Sequence, residues 1–339
     1  MKTVPKIRSM LSHCRKLLVL AATSAAVITS TTALAADVRW DGWNLHSDGY
    51  PNTEGMEQFS KLLSERSDGR IELTVHNDGA LGTQGEAIDK LIANDMAVAN
   101  LSLGPLGQIA PATNVVSLPF IFRDIGHMHR AMDGQAGDII SADLEKKGIV
   151  ALAWYDSGAR SFYNSEGPIN SPADIAGKTF RVMGNDLYSG MISAMGGTPV
   201  KLPFTQVLSA LQVGDIDGAE NNWPSYESTT HYKEAGFYSL SQHLIIPECI
   251  CLNADVYNAL SDDDKELVKT AARESSALQR DLWEKRALAS REQVLSAGVK
   301  FNEVSNKRAF QGAMRPVYGK YLAKNPSLAP LVDIIRNTD

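Results

Sequence analysis

The chain has 339 residues, 44% apolar and 21% charged, with a formal net charge of −6. That composition fits an ordinary globular protein of one or two domains. The negative balance argues against nucleic acid and anionic membrane surfaces as partners, but leaves room for a small anionic ligand, which responds to local charge.

The first 35 residues differ from the rest. Lys2, Lys6, Arg8, Arg15 and Lys16 form a basic start without acids, Leu17 to Ile28 is an apolar run, and Ala33-Leu34-Ala35 is a small-residue cleavage pattern. These features predict a cleaved secretory signal peptide over 1–35 and a periplasmic destination. A retained anchor is the rival reading, but about twelve apolar residues fall short of the ~20 that a spanning helix needs. No later segment is apolar enough to span a bilayer, so the mature chain is expected to be soluble and not membrane-embedded. Losing the five basic residues lowers the net charge from −6 to −11. Cys14 precedes the apolar run and leaves with it, so it is not a lipid attachment site.

Beyond the leader, short strands alternate with helices. VRWDGWNL, IELTVH, MAVANLSL, GIVALAWY, KTFRV, TPVKLP and HLIIPECICL read as strands. Between the first two, Met56, Phe59, Leu62 and Leu63 keep helical spacing, with Gly69 as a stop. The alternation predicts an α/β fold with largely parallel sheets. LIANDMAVANLS (91–102) matches LQVGDIDGAENN (211–222) at a constant offset of 120. Either this is chance, or two similar lobes each direct a strand end towards a shared crevice, where ligands of open α/β sheets usually bind. Cys249 and Cys251 would share one face of a strand; two buried thiols are the expected state, because a bridge between residues two apart is strained. Ser261 with Asp262, Asp263 and Asp264 opens a helix. No glycine or proline follows until Gly298, so one long helix braces both lobes, or two helices break near Glu274-Ser275-Ser276.

Catalytic signatures are scarce. HExxH, GxSxG and CxxC are absent, and Ala176-Gly177-Lys178-Thr179 lacks the P-loop glycine because Pro172 stands there. His127 and His129 point to nearly opposite sides of a helix, without a nearby acid or cysteine cluster, and read as a surface or interface pair, not a metal site. No cofactor is implied. Arg181 lies in the alternating strand KTFRVM and Arg160 at a strand start among Tyr155, Phe162 and Tyr163. A guanidinium among apolar groups keeps its charge and needs an anion or several acceptors. Each arginine alone fits a structural ion pair; together, with Asn221 following, they point to a carboxylate clamp.

At these residues the chain resembles the substrate-binding proteins of TRAP transporters, the tripartite ATP-independent periplasmic systems, of the C4-dicarboxylate-binding type. The resemblance is carried by GRIELTVHNDGALG, SLPFIFRDIGHMHRAMDG, GARSFYNSEGPINSPADIAGKTFRV, GGTPVKLPFTQVLSALQVGDIDGAEN and LSDDDKELV. It implies a two-lobed periplasmic binding protein fold with a hinge and a long C-terminal helix bridging the lobes. Lobe I would span 36–157 plus 247–286, and lobe II 158–246 plus 287–339. It also implies a receptor, not an enzyme, that closes over an organic acid and delivers it to membrane permease subunits driven by an ion gradient. On this resemblance Arg181 is the main carboxylate ligand, with Arg160, Asn221 and Phe204 beside it. His46, Gln84 and Ser102 face the ligand from the first lobe, and Asn100 shares the Ser102 face. Gly184 departs from a polar residue usual three places after the arginine; Asn185 could substitute. HSDGYP, YDSGARSFYN and AENNWPSYEST look like the members that bind hexuronates, glucuronate or galacturonate, with Glu248 a further hydroxyl partner. A C4-dicarboxylate or another sugar acid is the alternative ligand. An enzyme on sugar acids, with His46 or Glu86 as base, and a sensor receptor are the alternatives in role.

Overall fold

The computed structural model describes residues 38–339; the expected leader, with Cys14, lies outside the described residues. Eleven strands form two sheets. The first runs β2 (Ile71–His76), β1 (Val38–Trp43), β3 (Val98–Ser102), β10 (Glu248–Asn253), β4 (Ile149–Tyr155). The second runs β11 (Lys300–Glu303), β9 (Phe237–Ile245), β5 (Ala159–Asn164), β8 (Gly218–Asn221), β6 (Thr179–Val182), β7 (Thr198–Lys201). Each sheet is the core of one lobe, and all described residues belong to one compact unit.

The sheets are mixed, not largely parallel. β1 pairs in parallel with β2 and β3, but β10 lies antiparallel to both β3 and β4; in the second sheet β5 lies antiparallel to β8 and β9. The cause is the chain's double crossing. It leaves the first sheet between β4 and β5 and returns between β9 and β10. The stretch HLIIPECICL, expected as one strand, is divided at Ile246-Pro247: proline cannot donate to a ladder, and the two halves join different sheets. Cys249 and Cys251 are joined in a disulfide, not left as thiols (Cα–Cα 5.5 Å). Both point to one side of β10, whose pairing with β4 shifts register between Ile250 and Cys251.

The two matching stretches fold alike. The helices Gln84–Ile92 and Val207–Val213 both end in a left-handed residue, Asn94 (φ 62°) and Gly214 (φ 76°). The next amide reaches back in each case, Asp95 to Lys90 (2.9 Å) and Asp215 to Ala210 (3.0 Å), before β3 or β8 begins. Such caps satisfy the last helical carbonyls and redirect the chain into the sheet.

A single helix, Asp262–Ser296, spans about 50 Å. It does not break at Ser275-Ser276, because both serines face the first lobe: Ser275 Oγ meets Tyr155 OH (3.0 Å) and Ser276 Oγ donates to Trp154 O (2.5 Å). One turn on, the buried Gln279 donates to Asp156 O (2.8 Å) and Asn52 Oδ1 (2.9 Å) and accepts from Asp156 N (2.8 Å). Trp283 covers Gly158, where a Cβ would lie 2.7 Å from the indole nitrogen. Farther along, Arg286 pairs with Glu227 of the second lobe, and Gln293 donates to the same carboxylate (2.7 Å). The helix therefore grips both lobes and the first crossing. The chain's last helix, Ala329–Asn337, returns to the first lobe, where Ile335 O meets His127 Nε2 (2.8 Å). His127 is thus buried, not on the surface, while His129 binds Asp156 (3.1 Å).

Two further histidines are buried in the second lobe. His243 stacks on Phe162 at 3.9 Å, and His231 holds Tyr163 OH at 2.8 Å. Burial, aided by Arg181, pushes His231 down to about 3; burial and Arg160 push His243 well below the ordinary range.

Replacing Gln279 with leucine should lower the unfolding free energy by about 2–5 kcal/mol in urea denaturation, since each buried group left unpaired costs ~1–3 kcal/mol. A loss below ~1 kcal/mol would mean that water replaces the amide. The histidines set a pH dependence. Below about pH 6.5 the unfolded chain binds protons that folded His231 and His243 refuse, so their contribution is complete above that pH and shrinks as pH falls towards the folded values. Calorimetric melting of the ligand-free protein should show a midpoint that drops below about pH 6.5; neutral burial is contradicted if replacing both with phenylalanine leaves that slope unchanged.

Candidate functional site

A cavity of about 400 Å³ lies between the two sheets, within the range usual for small-molecule sites. Its walls come from the carboxyl ends of β1, β3, β6, β7 and β8 and from the start of β10, which runs the other way. Arg160, Arg181, Asn221, Phe204, His46, Gln84 and Ser102 all line it. Asn100 does not: it is buried behind the wall, accepting from Asn52 (3.3 Å) and donating to Cys249 O (3.3 Å). The reason is depth: the two share a face of β3, but Asn100 lies two residues farther from the strand end than Ser102. Asn185 also stays out of the cavity; it caps the helix Asp186–Ala194 and donates to Gly104 O (2.7 Å).

The two arginines differ in a way their sequence context did not disclose. Arg160 is already paired. Its Nε and Nη2 bind both oxygens of Glu220 (2.5 and 2.9 Å), Nη2 also reaches Glu220 O (2.7 Å), and Nη1 reaches Asn221 Oδ1 (2.6 Å). Burial opposes the Arg160 charge, but Glu220 outweighs it and raises the pKa. Glu220 itself is fully buried, with His243 Nε2 at 3.9 Å.

Arg181 has no such partner. It is 3% exposed, and Nε and Nη2 both donate to a single carbonyl, Leu202 O (2.9 and 2.7 Å). Among the described residues no carboxylate lies within ion-pair distance of it. Burial lowers its pKa to about 10, which Glu220 counters only from a distance. A guanidinium has five N–H donors, so the Leu202 contacts leave the Nη1–Nη2 edge, a planar fork that matches a carboxylate.

The opposite wall is polar and carries no lysine or arginine. Gln84 donates to Ser102 O (2.9 Å), which ties the first helical turn to the end of β3. His46 stacks on Tyr50 at 3.8 Å, and Tyr50 OH meets Ser225 Oγ of the other lobe (2.9 Å). Phe204 of the second lobe reaches across to stand edge-on to His46, 6.0 Å between centroids. Glu248, opposite Ser102 in the β3–β10 ladder, also lines the cavity and accepts from Asn52 (2.8 Å). Glu86 is outside: it caps its own helix through Thr83 N (2.7 Å). Among the described residues no cluster of three histidines, cysteines or acids is placed to hold a metal.

In DGAENNWPSYES, Asn221 closes β8 at the cavity. Asn222 caps the next helix through Ser225 N (2.7 Å) and donates to Ser157 O at the crossing (2.8 Å). Trp223 turns away and stacks on Tyr238 at 3.7 Å. Sequence reasoning missed Ser157 and Ser225 as lining residues. The Ser157-Gly158 pair before Arg160 and the Pro-Ser helix start were the available signals.

Known proteins resemble the chain along most of its length. The family model described as bacterial extracellular solute-binding protein, family 7, matches residues 44–325. A solute-binding protein of Chromohalobacter salexigens is 42% identical over 97% of this chain and 98% of its own. A TRAP periplasmic solute-binding protein of Roseobacter denitrificans, solved with bound β-D-glucuronate, is 55% identical with a TM-score of 0.88, covering 89% of this chain and all of its own. One from a Sulfitobacter species, solved with bound β-D-galacturonate, is 49% identical with a TM-score of 0.87, covering 88% of this chain and 99% of its own. With the two-lobed fold and an interlobe cavity already described, the match identifies the chain as a member of the bacterial extracellular solute-binding protein family 7.

Proposed function

We propose that this protein is the extracytoplasmic receptor of a TRAP transporter, that its ligand is a hexuronate such as glucuronate or galacturonate, and that it hands the ligand to the membrane permease. The observation that carries the reading is Arg181, a cationic fork buried in a cavity wall without an internal carboxylate. The sugar carboxylate pairs with the Nη1–Nη2 edge. Asn221, Ser102, Gln84 and His46 take ring hydroxyls, and Phe204 offers its face to the apolar side of the ring. Arg160, spent on Glu220, contributes field and shape to this wall more than a second fork. The similar proteins solved with glucuronate and galacturonate support the same ligand class. Binding contacts come from both lobes, so a bound acid favours their closed arrangement by the difference in its affinity for the two states.

Calorimetric titration should detect uronate binding and none with neutral glucose. Truncating Arg181 to alanine should weaken uronate binding by ~2–5 kcal/mol, with lysine recovering only part, because a point charge replaces a planar fork. Ser102→Ala should cost ~0.5–1.5 kcal/mol, one neutral hydrogen bond. Near-normal affinity in Arg181→Ala, with ligand-free melting unchanged, would remove the arginine from the site. Small-angle scattering should find the protein more compact with saturating uronate than without; an equal radius would contradict lobe closure.

A further inference from the structure

Glu248 is the counterpart of Arg181. Its side chain is 8% exposed, yet no lysine or arginine nitrogen comes within ion-pair distance among the described residues. Oε2 accepts from Asn52 Nδ2 (2.8 Å), and the nearest ionisable group to Oε1 is His46 Nε2, at 4.0 Å, too far for a hydrogen bond. The other charges at the cavity are matched internally: Arg160 by Glu220, and Lys201 by Asp186 (2.5 Å). Asp89 is exposed at the rim. Two buried charges of opposite sign thus stand unmatched, Arg181 in the wall of the second lobe and Glu248 in that of the first.

Glu248 is also fixed in place. Asn52 donates to Glu248 and to Asn100, while its own oxygen accepts from Gln279 of the long helix (2.9 Å). That last bond orients the Asn52 amide, so an N–H and not an oxygen meets the carboxylate. Asn52 and Gln279 are positioning residues for a carboxylate that cannot swing out of the cavity.

We infer that Glu248 selects ligand charge: it accepts a hydroxyl from a sugar monoacid through Oε1 and rejects acids that carry a second carboxylate at that end. A hydroxyl donating to a carboxylate makes a short, charge-assisted bond. A second carboxylate in the same place would lose its water against a fixed like charge, with no cation to offset the loss. The inference rests on the hexuronate reading and narrows it to polyhydroxy monoanions, excluding aldarates and short dicarboxylates.

The test compares D-glucuronate with D-glucarate, whose second carboxylate replaces the sugar's carbonyl end, on the wild type and on Glu248→Gln. Glutamine keeps an oxygen acceptor for Asn52 and the volume of the side chain, and ligand-free melting checks the fold. Wild type should bind glucarate at least 100-fold more weakly than glucuronate. The variant should lose about tenfold for glucuronate and narrow the ratio between the two acids at least tenfold; differences in ring and chain shape cancel when the ratios are compared. The inference is overturned if wild type binds glucarate within threefold of glucuronate, whatever the variant does, or if the variant discriminates as strongly as wild type. A wild type that binds no uronate would instead overturn the hexuronate reading itself, and the charge filter with it.

Discussion

The ion pair between Arg160 and Glu220 is the constraint on which the ligand wall depends. Two guanidinium groups project from β5 and β6, the strands on either side of β8, and both are almost fully buried. Left alone, each would repel the other in a medium that screens poorly. Glu220 neutralises one of them, with three contacts to a single side chain, two of them through its carboxylate. Breaking such a pair typically costs 3–5 kcal/mol, because it strands a buried charge. The pair therefore belongs to the folded lobe, and the remaining cation, Arg181, can be left for an outside anion. One internal carboxylate for two arginines is what turns a packed sheet edge into a receptor.

The same logic of incomplete pairing extends to the other lobe, through a different set of bonds. Asn52, Gln279 and the Asp156 backbone link the cavity wall to the long helix and to the first crossing between sheets. The helix then continues to Glu227, where Arg286 and Gln293 hold the second lobe. A buried polar chain of this kind is worth most when every member is satisfied. Its members join the cavity wall to the long helix and the first crossing, and its cavity end is Glu248. The strut that carries the lobes is thus bonded to a carboxylate of the cavity wall.

Much of this was legible in the sequence, and the reasons are local. The stretches at 91–102 and 211–222 matched because each encodes the same device, a helix end, a left-handed residue and a strand aimed at the cleft; Asn94 and Gly214 are the residues that tolerate positive φ. Arg181 was placed by alternation within a short strand, and Asn221 by the strand end that the two matching stretches share. What stayed hidden depends on pairing across the chain. Nothing near Arg160 discloses that Glu220, sixty residues on, will occupy its fork. Ser102 and Asn100 share a strand face, but only the end of the strand reaches the cavity. His127 looked like a surface residue because its burial comes from the helix Ala329–Asn337, more than two hundred residues away. Pro247 was visible, yet its consequence, one apolar run divided between two sheets, needs the return of the chain to the first lobe.

Net charge and site charge point in opposite directions, and distance decides between them. The chain from residue 36 onward carries −11, yet its ligand wall presents a bare guanidinium. At physiological salt the field of surface acids decays over ~8 Å, so they act on an approaching anion mainly as a weak drag on encounter. Inside the cavity screening fails, and individual groups dominate. There Arg181, without an internal carboxylate, and Glu248 on the facing wall set the local potential. A dianion gains little by a second charge in such a place, because only one wall is positive. On the proposed reading, affinity for an acid and tolerance for hydroxyls are separate properties of separate lobes.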